Sequence, residues 1–276
     1  VEILRYTAFT DHPDGGNPAG VVLDATGETD EEMQAAAARV GYSETAFLLP
    51  RADGDLDVRY FSPLVEIPFC GHATIAATIA HAAAHGPGPL RLHTRAGLVE
   101  VATTEVEPEV FTATLVSVAP RTGELRALDE LLAALRWSAD DLHPDYPPRA
   151  AYAGAWHPVL VTRTRARLAD LAYDFAALSE LMAREEWTTI QLVHRESDVV
   201  FHSRNPFPPG GVVEDPATGA SAAALGGYLR ELGLVELPAA LTIHQGDDMG
   251  RPGVITVSIP SDPASGIHIT GTAVRL

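Results

Sequence analysis

Glu44 stands in Tyr42-Ser43-Glu44-Thr45-Ala46-Phe47, a carboxylate at the mouth of an apolar, strand-like run. A glutamate there is either exposed at the strand's end or held in a dry place with a raised pKa, as acid/base work near neutrality requires. His72 follows Gly71 at the start of an alanine-rich segment. Its imidazole is a natural proton carrier, and equally a group that fills a helix start and bonds to backbone. Asp215 lies in Glu214-Asp215-Pro216, where Asp-Pro is also a common turn or helix entry. Cys70 directly precedes Gly71 and His72, and a thiol at a helix start could abstract a carbon-bound proton. The matching position in the second half is Thr218, so a symmetric pair of thiols is excluded. The favoured reading of Cys70 is a small buried hydrophobe.

The elements that must position these groups occur twice. Glu66-Ile67-Pro68-Phe69-Cys70-Gly71-His72-Ala73 and Glu214-Asp215-Pro216-Ala217-Thr218-Gly219-Ala220-Ser221 share Glu, Pro and Gly at the same offsets. Each runs into an alanine-rich segment, Thr74 to Ala84 and Ala222 to Leu232, closed by Gly86 or Gly233. Upstream, Asp57 to Ser62 can be laid on Asp198 to Ser203, and Asn17-Pro18-Ala19-Gly20-Val21 on His157-Pro158-Val159-Leu160-Val161. Thr74-Ile75-Ala76-Ala77-Thr78-Ile79-Ala80 is small and apolar nearly all round, which predicts a buried helix. Strand-like runs flank it on both sides, so the expected architecture is a sheet curled around one central helix, twice over. Thr29 or Asp30 can cap a first outer helix, and its counterpart falls within Ala166 to Glu185. A linker is expected near Pro120 to Asp129, giving lobes 1–120 and 130–276, with a last strand that could return to the first lobe. Two buried helix starts present backbone N–H groups and partial positive charge to a carboxylate or phosphate, unless side chains such as Thr218 or Ser221 satisfy them.

Composition narrows the function classes. The 276 residues are 46% apolar and 20% charged, the balance of a globular protein, and a net charge of -18 disfavours nucleic acid and anionic membrane as partners. The single cysteine rules out an intrachain disulfide. The opening run Val1 to Tyr6 reads as a strand rather than a leader, so the expected compartment is the cytoplasm. The eleven histidines lack metal-ligand spacing along the chain, so no metal is expected. Gly219-Ala220-Ser221-Ala222-Ala223, with Asp248 and His268 following, approaches a serine hydrolase pattern but lacks the second glycine of the nucleophile elbow.

The sequence resembles the PhzF family nearly end to end. The resemblance is carried by Asp11-His12-Pro13 through Gly16-Asn17-Pro18, by Ser43 to Phe47, and by Phe61-Ser62-Pro63 with Glu66 to His72. The second half adds Gly211 to Gly219, His244-Gln245-Gly246 and Gly250-Arg251-Pro252. The resemblance implies an α+β, diaminopimelate-epimerase-like fold of two similar lobes, each a barrel-like, mostly antiparallel sheet around a central helix, with the active site between them. It also implies a cofactor-free enzyme, often a homodimer. By motif match Glu44 is the general acid/base, and His72 and Asp215 assist. Asn17, Ser43, Gly71, Thr218, Gly219, Ala220 and Ser221 are the candidate substrate contacts. The phenazine enzyme carries serine where this chain has Ala220, which alters the expected substrate more than the chemistry. The expectation is therefore an isomerase that moves a proton on a small carboxylate-bearing substrate. A catalytically silent carboxylate-binding protein and a serine hydrolase are the alternatives.

Overall fold

Small side chains let strands close tightly around a helix, and that is what the alanine-rich segments do. The computed structural model describes residues 1–276. They form two units, Val1–Val116 with Thr270–Leu276, and Ser117–Ile269.

In the first unit the strands are β1 (Leu4–Ala8), β2 (Asn17–Val22), β3 (Glu44–Pro50), β4 (Leu56–Phe61), β5 (Glu66–Ile67), β6 (Pro89–Thr94), β7 (Gly97–Glu107), β8 (Val110–Val116) and β17 (His268–Arg275). Following the pairings β1–β2–β3–β4–β6–β7–β8–β17 and back to β1 gives a closed barrel of eight strands. The C-terminal strand completes the ring, with Tyr6, Thr7 and Ala8 opposite Arg275, Val274 and Ala273. Inside runs α2 (Gly71–His85), packed against β1, β2, β3, β7 and β8. Ala73, Ile75 and Ala76 are fully buried, as its nearly uniform small apolar surface predicts. Its threonines are satisfied within the barrel. Thr74 Oγ1 donates to the Cys70 carbonyl at 2.7 Å and meets Tyr60 Oη at 2.6 Å. Outside, α1 (Asp30–Val40) lays Met33, Ala36 and Ala37 on Val22, Phe47 and Phe61. Thr29 caps it, accepting from Glu32 N, while the Glu32 carboxylate accepts from Thr29 N.

The second unit repeats the plan. Its strands are β9 (Arg121–Glu124), β10 (Arg149–Tyr152), β11 (Trp156–Thr162), β12 (Gln191–Arg195), β13 (Val200–Pro206), β14 (Glu214–Asp215), β15 (Ala239–Gln245) and β16 (Gly253–Ile259). The parallel pair β11–β12 repeats β2–β3, and the parallel pair β13–β15 repeats β4–β6. The buried helix here is α6 (Gly219–Glu231), against β9, β10, β11, β12 and β16. Gly227 lets it approach Pro120, because a Cβ there would lie 2.4 Å from the proline ring.

Two local readings are corrected. The stretch expected as a linker is ordered structure: β9 pairs with β10, and α3 (Leu128–Leu135) starts directly after it. With α4 (Arg165–Ala169) and α5 (Phe175–Glu185), α3 covers the outer face of β11 and β12 through Leu131, Leu135, Leu168, Leu178 and Met182. The two halves also match differently from the alignment of Asp57–Ser62 with Asp198–Ser203. Phe61 pairs with Glu66 and Pro206 with Glu214, which equates Arg59 with Arg204, two residues earlier in each strand. Both arginines fork onto the glutamate of the two-residue strand. Arginine and glutamate are ten residues apart in one copy and seven in the other, so a gap-free comparison misses the match.

Candidate active site

Parallel strands start at the same end of a barrel, so β2 and β3 bring their first residues, Asn17 and Glu44, to one rim. Helix α2 starts at that rim and delivers Cys70 and His72. All four side chains are buried, at 1%, 9%, 9% and 5% exposure for Asn17, Glu44, Cys70 and His72. Asn17 Nδ2 lies 3.1 Å from His72 Nδ1, and Glu44 Oε2 lies 3.3 Å from His72 Nε2. An amide N–H donating to Nδ1 leaves the ring proton on Nε2, aimed at the glutamate. Ser43 Oγ stands 3.5 Å from the same Nε2, and Cys70 Sγ is 3.3 Å from Nδ1. Gly16, at φ +58, sets the turn into β2. A Cβ on it would lie 2.1 Å from the Ala8 carbonyl oxygen.

Burial pushes the Glu44 carboxyl above its ordinary value, and hydrogen bonds from Ser43 and Cys70 pull part of the way back. The result is a carboxyl that takes and returns a proton closer to neutrality than a surface glutamate does. Of the two readings of Glu44, the exposed strand end is ruled out. His72 bonds to side chains of the rim rather than only filling a helix start. Cys70 is buried as expected but is not inert: it is a hydrogen-bonding neighbour of both Glu44 and His72.

In the second unit Asp215 ends β14 and is buried, with its Oδ2 accepting from Thr218 Oγ1 at 2.6 Å. Gln245, itself buried, donates through Nε2 to the Asp215 carbonyl at 2.8 Å and accepts from Thr218 N at 3.1 Å. Gly246, at φ +88, follows it. A Cβ there would fall 2.2 Å from the Arg251 carbonyl oxygen and 2.8 Å from that of Pro216. These contacts give His244-Gln245-Gly246 its role: it clamps the turn that carries Asp215. Gln245 is a positioning residue that the motif contained but residue chemistry alone did not single out.

The two helix starts have no side-chain caps. Cys70 and Thr218 occupy the cap positions of α2 and α6 without bonding to the first-turn N–H groups. Ser221 Oγ donates instead to the Thr218 carbonyl at 3.0 Å. Side chains therefore do not satisfy those donors in the way that Thr218 or Ser221 could have done. Gly71 and Gly219 open the two helices, and Ala220 is half-buried in the first turn of α6. The hydrolase pattern fails. Ser221 is fully buried inside the first turn of α6, and Asp248 is paired with Arg165 at 2.9 Å.

The duplicated rims have diverged chemically. Where the first unit places Glu44, the second carries the non-ionisable Thr189 and Gln191 at the entry to β12, both buried. The motif match sets Ala220 opposite His72 and Ile67 opposite Asp215. His157, the counterpart of Asn17, is fully buried, its Nδ1 2.9 Å from Thr189 Oγ1, and burial lowers its pKa to about 4. The buried contact between a glutamate and a histidine at the start of the central helix thus belongs to the first unit.

The model of the family described as phenazine biosynthesis-like protein matches residues 6–276. The chain belongs to the PhzF family. The "uncharacterized isomerase" YfhB of Bacillus subtilis is 33% identical, covering 99% of this chain and 96% of the relative. Trans-2,3-dihydro-3-hydroxyanthranilate isomerase of Pseudomonas aeruginosa is 30% identical, covering 89% and 85%. The crystal structure of a Bacillus anthracis phenazine biosynthesis protein of the PhzF family superposes with a TM-score of 0.90 at 27% identity, covering 99% and 96%. A probable proline racemase from Agrobacterium radiobacter shares the fold at a TM-score of 0.69 and 16% identity, over 99% of this chain and 90% of the racemase. This PhzF-family chain is an isomerase or epimerase by class, on an α+β fold shared with racemases. No helix in it is long and apolar enough to cross a membrane.

Proposed function

We propose that this PhzF-family chain relocates a carbon-bound proton on a small carboxylate-bearing molecule, with Glu44 as the shuttle. The observation that carries the reading is the buried Glu44 carboxyl, its pKa raised by burial, 3.3 Å from His72 Nε2. In the proposed step the Glu44 carboxylate removes a proton from an activated carbon, and the electron pair left behind spreads into the substrate's conjugated system. Glu44, now a neutral acid, returns the proton to a second carbon. Atoms and charge balance, and the product is an isomer. The Nε2–H of His72 steadies the Glu44 carboxylate before the first transfer and after the second. The uncapped start of α2 offers N–H donors suited to a carboxylate, and Asp215 is proposed to assist as a second acidic group. Each of these steps uses groups of the chain alone.

Solvent labelling tests the proposal. The chain is incubated in D2O with trans-2,3-dihydro-3-hydroxyanthranilate, the compound in the name of the Pseudomonas relative, and with a panel of small unsaturated carboxylates. With the wild-type chain, NMR should show at least one of them converted to an isomer, and mass spectrometry should show deuterium at carbon to the extent that the proton held on Glu44 exchanges with solvent before its return; Glu44→Gln should abolish both. Carboxylates that bind but are neither isomerised nor labelled would instead support the silent binding protein, the reading that Ala220 keeps open.

A further inference from the structure

The donor atoms of Glu44, Cys70 and His72 lie within 4.8 Å of one another, and all three residues are buried. They comprise one carboxylate oxygen, one thiol sulfur and one imidazole nitrogen, a set that suits a borderline-soft divalent ion such as Zn2+. Sequence spacing hid the group, because Cys70 and His72 are two residues apart while Glu44 comes from another strand.

Ordinary zinc bond lengths at a tetrahedral centre place N and O donors about 3.3 Å apart, and N and S donors about 3.5 Å apart. The observed separations are 3.3 Å between His72 Nε2 and Glu44 Oε2, and 4.0 Å between Cys70 Sγ and His72 Nε2. Closing the second gap asks for about half an ångström, within reach of a cysteine rotamer adjustment. The other ring nitrogen, Nδ1, faces Asn17 at 3.1 Å. An amide can accept from Nδ1–H as readily as donate to Nδ1, so Asn17 fits the outer partner that fixes a metal-bound imidazole. Three protein donors leave one position open, as at zinc sites that admit an exchangeable ligand.

We propose that Glu44, Cys70 and His72 form a binding site for a thiophilic divalent cation, and that the bound ion blocks the proton shuttle. The blocking rests on the proposed role of Glu44; the binding does not. On binding, Cys70 releases its proton, Glu44 coordinates as the carboxylate, and His72 turns an Nε2 lone pair to the metal. Coordination lowers the basicity of the Glu44 carboxylate and holds it against the ion instead of the substrate carbon, so zinc acts as a reversible inhibitor relieved by a chelator.

Co2+ is the probe, added to tag-free full-length chain. Wild type should show a saturable one-to-one thiolate-to-cobalt absorption band with intense tetrahedral d–d bands, displaced by Zn2+. Cys70→Ser should lose the charge-transfer band, and Zn2+ affinity by calorimetry should fall at least about tenfold in Cys70→Ser and in Glu44→Gln, thermal melts confirming that both variants fold. No cobalt band in wild type, or a band that survives Cys70→Ser, overturns the metal site and leaves the isomerase reading standing. A cobalt band together with deuterium exchange that persists under saturating Zn2+ keeps the metal site and removes Glu44 as the shuttle.

Discussion

Glu44→Gln is expected to lower turnover by about 10²–10⁴-fold, the usual share of one general acid/base, while binding of carboxylate ligands survives. Glutamine keeps the shape and the hydrogen-bonding reach of the side chain, so Ser43, Cys70 and His72 retain a partner, but it cannot carry a proton between carbons. The same substitution should raise stability near neutral pH. Below the ordinary glutamate value of 4.5 the carboxyl is neutral in both folded and unfolded chains, and its burial costs little. As pH rises the unfolded chain ionises first, so the wild-type chain loses stability until pH passes the raised folded pKa. Melting temperatures of wild type and Glu44→Gln should therefore converge in acid and separate toward pH 8, with the variant more stable. A variant less stable than wild type across that window would mean that the carboxylate is held by favourable partners rather than penalised by burial.

The second large effect concerns stability alone. Arg204→Met is expected to cost about 3–5 kcal/mol, the penalty of leaving one charge of a buried pair without its partner. The side chains of Arg204 and Glu214 are only 10% and 5% exposed. The guanidinium forks onto both carboxylate oxygens and donates to the Ala169 carbonyl at 2.6 Å. Arg204→Met combined with Glu214→Leu should recover most of the loss, because no stranded charge remains. The first-unit copy should behave more mildly. Arg59 is 21% exposed, and Glu66 keeps Arg95 at 2.6 Å when Arg59 is removed, so Arg59→Met should cost about 1–2 kcal/mol. Denaturant unfolding of the three variants measures these differences. Equal losses at the two arginines would refute the argument from burial and spare partners.

What could be read from residues alone follows from where the physics is local. The helices α2 and α6 were legible because small apolar residues on every face leave only a buried role, and Gly86 and Gly233 mark their ends. Glu44 stood out because a carboxylate opening an apolar strand needs an explanation. The burial of Cys70 was legible, but its polar contacts were not, for the opposite reason. Its neighbours along the chain are apolar, and its contact with Glu44 exists only once β3 and α2 reach the same rim. The Arg59–Glu66 and Arg204–Glu214 pairs escaped because each spans a turn of different length. Helix α3 begins inside the stretch expected as a linker and has no counterpart among the duplicated motifs, although its leucines show an apolar stripe. The chemical asymmetry of the two rims lay in the sequence as Glu44 against Thr189 and Gln191, but only the strand pairing shows which residues to compare.

The most direct measurement is the titration of Glu44 itself. With 13C-labelled glutamate carboxyls, the Glu44 resonance is assigned by its loss in Glu44→Gln and followed by NMR from acid to alkaline pH. A midpoint well above the ordinary 4.5, reached without unfolding, is the result expected of a buried carboxyl poised to give and take a proton beside His72. A midpoint at or below 4.5 would show a carboxyl already fully charged well below neutral pH, and the shuttle would lose its physical basis.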